Sequence, residues 1–219
     1  QKENFKELLQ QSVQAIQKET EIPIQYDLKE GPIKTIIEET AKQYNATLLI
    51  TSANYSMERY KVSAETLLYY LKNVNTPLII TKAPPLNNKL HELVVPIEYD
   101  KKFKEELQWV IYLAKYLKCN INLIRPKPKD KGVETYIKNN LYFTKCLLEG
   151  HQLVYGVKTA SPNVDFKDEV FSFAQSIEAD IIILMSHRLK EYTNLMKSYD
   201  IPVMCVNPRA DLQKYQGFY

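Results

Sequence analysis

After Asp180, Ile181-Ile-Ile-Leu-Met185 is a run of successive apolar residues, mostly β-branched and too short for a helix. A strand with this composition has no polar face to turn toward water, so both of its faces need cover. That condition is met in parallel sheets packed between layers of helices. Leu93-Val-Val-Pro-Ile97, Asn120-Ile-Asn-Leu-Ile124, a stretch over 152–158 and Ile201-Pro-Val-Met-Cys-Val206 read as further strands. Amphipathic helices lie between them. Phe103, Leu107, Val110, Ile111, Ala114 and Leu117 fall on one helical face, and Phe166, Val170, Phe173, Ala174 and Ile177 on another. A helix over about 133–148 and a short one near 192–197 complete the alternation. Strands alternating with helices of this length specify an α/β parallel sheet with right-handed crossovers.

The same alternation runs through the first third of the chain. Phe5, Leu8, Leu9, Val13 and Ile16 mark an amphipathic helix over 4–20, and Ile22 to Leu28 reads as a short strand. Gly31-Pro32 opens a second helix with Ile33, Ile36, Ile37, Ala41 and Tyr44 on its apolar face. Thr47 to Thr51 is an apolar strand, a helix follows over 64–72, and Pro77-Leu-Ile-Ile-Thr81 is another buried strand. Ala46-Thr-Leu-Leu-Ile-Thr echoes Ala179-Asp-Ile-Ile-Ile-Leu, and Thr76-Pro-Leu-Ile-Ile echoes Ile201-Pro-Val-Met-Cys. The chain therefore reads as two copies of one unit. Residues 1–83 form a copy without its opening strand, helix and strand. Residues 84–89, with prolines and asparagines, form a linker; 90–209 are a complete copy and 210–219 a tail.

Composition narrows the function. The chain has 219 residues, 45% of them hydrophobic and 25% charged, enough to bury a sizeable core. The net charge of +3 gives no electrostatic case for nucleic acid or a membrane surface. Lys127, Lys129 and Lys131 lack interleaved aromatics and read as a solvated loop. The five glycines nowhere form G-x-G, which excludes a dinucleotide fingerprint, and no Walker-type loop can be written. Three scattered cysteines and three isolated histidines give neither a disulfide framework nor a zinc site, and Cys205 reads as a buried small hydrophobe. No apolar segment approaches the roughly 18 residues that cross a bilayer. With no signal-peptide pattern after Gln1, the cytoplasm is the expected location, and the absent initiator Met reads as a fragment or a processed product.

Glu92-Leu-Val-Val-Pro-Ile-Glu-Tyr-Asp100, Ala179-Asp-Ile-Ile-Ile-Leu-Met-Ser-His187 and Ile201-Pro-Val-Met-Cys-Val206 occur in that order at spacings that resemble the universal stress protein family in its tandem form. In the first copy Val62 to Leu68 and Thr76 to Ile80 are similar to the family's last helix and last strand. The resemblance implies two doubly wound units that meet through their last strands, so that 78–81 lies beside 203–206. It also implies self-association to a homodimer. Nucleotide-binding members carry glycines after the fourth strand, where backbone amides approach the phosphates. Here Met185 and Arg188 stand at those positions in the second copy, and Thr51, Asn54, Lys61 and Val62 replace the glycines and hydroxyl in the first. Met185 is expected to direct its side chain toward the phosphate position. The stretch from His187 to Pro202 is also about nine residues short by comparison with the family.

What remains of the pocket is Glu98, Ser186, His187 and Arg188. Glu98 stands where the family has an acidic residue near the ribose and is expected at the pocket rim, with Asp100 capping the helix that follows. Ser186 and His187 are adjacent at a strand end, point to opposite sides, and have no identifiable orienting acid, so they do not read as a nucleophile and its base. The expectation is a non-enzymatic stress-response or regulatory module without a cofactor and without a known protein partner. The alternatives are a module that binds ATP or another adenine nucleotide, for which Arg188 and Lys61 supply charge, and a sensory domain of a transporter or kinase. If nucleotide does bind, Glu98→Ala and Ser186→Ala should weaken it.

Overall fold

The computed structural model describes residues 2–52, 76–82 and 90–207. Seven strands form one sheet: β1 Leu49–Ser52, β2 Leu78–Thr81, β3 Glu92–Pro96, β4 Asn120–Arg125, β5 Tyr155–Thr159, β6 Ile181–Met185 and β7 Val203–Val206. Their order is β1-β2-β7-β6-β3-β4-β5. Every neighbouring pair is parallel except β2 and β7, which run antiparallel with Leu78 opposite Cys205 and Ile80 opposite Val203. β2 and β7 therefore meet as the resemblance implied, though antiparallel.

The helices are α1 Lys2–Gln17, α2 Ile33–Gln43, α3 Leu107–Leu117, α4 Lys131–Gly150, α5 Phe166–Ser176 and α6 Leu189–Ser198. Side chains alternate along β6, and the two helix layers follow from that alternation. Ile181, Ile183 and Met185 enter a cluster with Phe103, Leu107 and Val110 from the α3 side and Ile137 and Leu148 from α4. Ile182 and Leu184 enter a second cluster with Val170, Phe171 and Ala174 of α5, Leu189 and Tyr192 of α6, and Ala41 of α2. Each fully buried side chain of this size contributes ~1.5–3 kcal/mol relative to exposure. The strand core of the second copy is thus covered on both faces, as its composition demanded.

The segments leading into β1–β2 and β6–β7 share backbone detail. The α2 and α5 ends carry Asn45 and Glu178 at positive φ, and the next amide turns back onto the helix in both copies: Ala46 N–H to Ala41 O at 2.9 Å and Ala179 N–H to Ala174 O at 2.8 Å. Leu49 N–H then reaches Pro77 O at 2.9 Å, and Ile182 N–H reaches Pro202 O at 3.0 Å. The prolines sit just before β2 and β7, where no ladder donor is lost. Lys82 ties the copies together, its Nζ donating to Lys197 O, Tyr199 O and the Asp200 carboxylate at 2.9, 3.1 and 3.0 Å.

Four sequence expectations need correction or fall outside the described residues. Residues 22–28 form no strand. In the second copy the counterpart, β5, pairs only with β4, and the first copy has no strand equivalent to β4 among the described residues. Without a ladder partner the segment stays irregular, and Ile22 and Ile24 bond instead to the side chains of Gln17 and Thr20, with Ile24 N–H donating to Gln17 Oε1 at 3.0 Å. The helix over 103–117 is divided, with a 3₁₀ turn at Lys101–Glu105 before α3. The short helix near 192–197 is longer, beginning at Leu189. The helix over 64–72, most of the linker and the tail lie outside the described residues, as do Asn54, Lys61 and Val62. Cys205 is buried, as read from the sequence, and burial pushes its thiol pKa up.

Candidate functional site

In a doubly wound sheet the loops at the carboxyl ends of two neighbouring strands diverge to opposite faces where the strand order reverses, and a crevice opens between them. Here that point lies between β3 and β6. The loop after β3 carries Glu98 and Asp100; the 3₁₀ turn after β6 is Ser186–Arg188. The two loops are joined by their own side chains. Arg188 brings Nε to 2.9 Å from Glu98 Oε2 and one terminal nitrogen to 2.9 Å from Glu191 Oε1. The Nε–Oε2 approach is an ion pair without the alignment of a hydrogen bond, since neither atom has a hydrogen-bond partner. Tyr192 donates its hydroxyl to Glu98 Oε1 at 2.9 Å. At the opening, His187 Nε2 is paired with the Asp100 carboxylate.

Local sequence explains why these groups converge. Arg188, Glu191 and Tyr192 stand at i, i+3 and i+4, so one face of the turn and α6 carries all three. Asp100 accepts Lys102 N–H at 2.8 Å and caps the 3₁₀ turn, as expected. From the opposite side, Asn140 of α4 donates its side-chain amide to Glu98 O at 2.7 Å and to Asp100 O at 3.3 Å. Thr144 donates to the Asn140 backbone carbonyl at 2.8 Å, one turn along the same helix. The loop is thereby fixed to α4 as well as to α6.

Burial sets the electrostatics. Glu98 is buried, and desolvation raises its carboxyl above the ordinary range against the opposing pull of Arg188 and the Tyr192 hydrogen bond. Glu106 is buried too, with Oε1 unpartnered; desolvation first, then repulsion from Glu98 and Asp100, holds it well above 4.5. Burial and the adjacent carboxylate raise Tyr192 as well, so its hydroxyl stays protonated and available as a donor. The crevice carries more acid than base, and both Arg188 and His187 already face carboxylates. Phosphate oxygens would meet acidic groups and no glycine cradle, since no glycine lies between Gly156 and Gly217.

Glu98, His187 and Arg188 are thus brought together as the sequence suggested, with two differences. Glu98 is buried and not at a rim, because Tyr192 and Arg188 close over it. His187 does have an acid partner, Asp100, but no hydrogen bond joins Ser186 to His187; Ser186 stands half-buried beside the pair. Met185 does not face the crevice. It is 1% exposed and packs into the cluster beneath α3, on the face that strand alternation assigns it. Asn140, Glu106, Glu191 and Tyr192 were not singled out from the sequence. For Glu106 the signal existed: it lies three residues after Phe103 and four before Val110, on the apolar face. Groups of three or more His, Cys, Asp or Glu residues arranged for a metal ion do not occur among the described residues.

No protein-family model and no curated protein matches the chain. Solved structures do. It is similar to a universal stress protein from Archaeoglobus fulgidus DSM 4304, with a TM-score of 0.69 over 94% of this chain and 76% of that one, at 14% identity. It is also similar to a functionally unknown protein from Pseudomonas aeruginosa PAO1, with a TM-score of 0.62, coverage of 98% and 83%, and 12% identity. The chain has the fold of the universal stress proteins.

Proposed function

We propose that this chain is a non-enzymatic regulatory module of the universal stress type, in which the crevice between β3 and β6 is occupied by its own polar side chains and takes no nucleotide. The observation that carries this reading is the engagement of Arg188 and His187. Arg188 lies between Glu98 and Glu191, and His187 is paired with Asp100, which leaves neither free to hold phosphate. A triphosphate would have to break the Arg188–Glu98 pair. It would leave a buried carboxylate uncompensated, a cost of roughly 3–5 kcal/mol for a fully buried pair and less here because Arg188 is partly exposed. Helix α6 also begins almost directly after β6. Ile182 and Pro202 are 20 positions apart against 28 between Leu49 and Pro77, which leaves little chain for a phosphate loop.

Catalysis has no visible machinery in this reading. Ser186 lacks a base, His187 is held by a carboxylate without a nucleophile on its other side, and Glu106 has no reacting group near it. The module is expected to act through its surface, as a homodimer. The test is to denature the purified protein and examine the supernatant by mass spectrometry. No adenine nucleotide should be present in proportion to protein. A stoichiometric nucleotide would replace this reading with the nucleotide-binding one.

A further inference from the structure

The ion pair that closes the crevice between β3 and β6 leaves its polar atoms poorly served. Arg188 approaches Glu98 Oε2 with Nε out of line, so neither atom has a hydrogen bond. Glu106 Oε1 has no hydrogen-bond partner either. Glu98 is 6% exposed and Glu106 2%, so water does not make good the loss. Two buried carboxyl groups thus each present one oxygen without a donor, a condition that native structures keep where another group supplies the donor.

The surroundings define what that group is. Glu106 is faced by Glu98 and Asp100, and no cation is among the groups that act on it. Glu98 is faced by Arg188, Tyr192, Glu191 and His187, and Glu105 adds a further acid near Asp100 and His187. Acids outnumber bases here, so a cation is attracted and an anion repelled. The planar guanidinium of Arg188 reaches only one of the two orphaned oxygens. A tetrahedral ammonium directs three N–H groups from one compact centre and serves two carboxylate oxygens at once. Arg188 itself supplies the room. Its side chain is 34% exposed and already holds Glu191 Oε1 at 2.9 Å, so turning outward keeps that partner while vacating the side of Glu98.

We infer that the crevice between β3 and β6 is a binding site for a small protonated alkylamine, held between Glu98 and Glu106, with Arg188 as the resident cation that it displaces. The ammonium donates to Glu98 Oε2 and Glu106 Oε1, and Glu98 Oε1 keeps the Tyr192 hydroxyl. The inference rests on the reading that this crevice excludes nucleotide, and it assigns a ligand of opposite charge to the same place. Binding is linked to pH, because Glu106, buried beside Glu98 and Asp100, gives up its proton when the ammonium enters. The alkylamine itself stays protonated up to about pH 10.

The probe is n-butylamine, titrated as its hydrochloride into the purified chain in a calorimeter at physiological salt, at pH 5 and at pH 8. A saturable one-to-one isotherm is expected at pH 8, with affinity about threefold or more weaker at pH 5. Butyltrimethylammonium has the same charge and no N–H donor, and should bind about tenfold more weakly than butylamine. Glu106→Gln keeps the shape and removes the charge; it should weaken butylamine about tenfold and flatten its pH dependence. Arg188→Met removes the resident cation and should tighten butylamine by about tenfold. Absence of saturable heat with both the parent and Arg188→Met would overturn the inference. Equal affinity for the quaternary ion would do so too, as would Glu106→Gln binding butylamine as the parent does. ATP titrated into the same chain separates this inference from the reading beneath it. A nucleotide isotherm contradicts the closed crevice whatever butylamine does, and a butylamine failure without one removes the amine site alone.

Discussion

Ile183 and Ile50 stand at the same offset after equivalent helix ends, four residues on from Ala179 and Ala46, yet one is in the core and the other in water. The difference is not in the residue, which is identical, but in what the sheet places beside it. In the second copy β6 lies between β3 and β7 with helices on both faces. Among the described residues, β1 has a neighbour on one side and a helix, α2, on one face, where Ala41 and Ile37 pack. Burial in an α/β sheet is therefore a property of position in the strand order, and sequence apolarity alone only permits it.

Truncating these two isoleucines makes the comparison most sharply. Ile183→Ala should cost about 2–5 kcal/mol, the range for an emptied core site, whereas Ile50→Ala should stay within about 0.5 kcal/mol in the chain as described. Urea unfolding of both variants measures the contrast; equal costs would mean that Ile50 is buried in solution. Next in size is Tyr192→Phe, which leaves the buried Glu98 without its hydroxyl donor and should cost roughly 1–3 kcal/mol. A change below 0.5 kcal/mol in the same titration would show that the loops after β3 and β6 are not held together by this bond.

A smaller effect distinguishes the copies through pH. The Glu106 carboxyl of the second copy is raised well above 4.5 by burial, so the folded chain retains a proton that the unfolded chain releases. The stability linked to that proton is complete below pH 4.5 and is lost as pH rises through the raised folded value. Glu106→Gln removes the titration while keeping the shape, so the variant should lose less stability than the parent over this window. Melting temperatures recorded from pH 4 upward should converge at the acid end and separate toward alkaline pH. Parallel curves would contradict the assignment.

Much of this was legible in the chain. The continuous apolar run at Ile181–Met185 identified a strand buried on both faces, and the family resemblance placed 78–81 beside 203–206, where β2 and β7 pair. Residues 22–28 misled because alternating β-formers look alike whether or not a partner strand exists; pairing is non-local and leaves no mark on the strand itself. At the site, Glu98, His187 and Arg188 were visible through the family resemblance, but their mutual engagement was not. Asn140 lies 42 residues from Glu98, so only the fold brings α4 against that loop. Glu106 stood on an apolar helical face where an acidic residue is easily taken for a solvent-facing one.

The claim that the crevice is closed by its own side chains is tested most directly by titrating ATP into the purified chain in a calorimeter at physiological salt. No saturable heat is expected, because Arg188 and His187 face carboxylates and no glycine-lined loop presents amides to phosphate. A saturable one-to-one isotherm, weakened by Glu98→Ala or Ser186→Ala, would show that the network opens for nucleotide and would contradict the account.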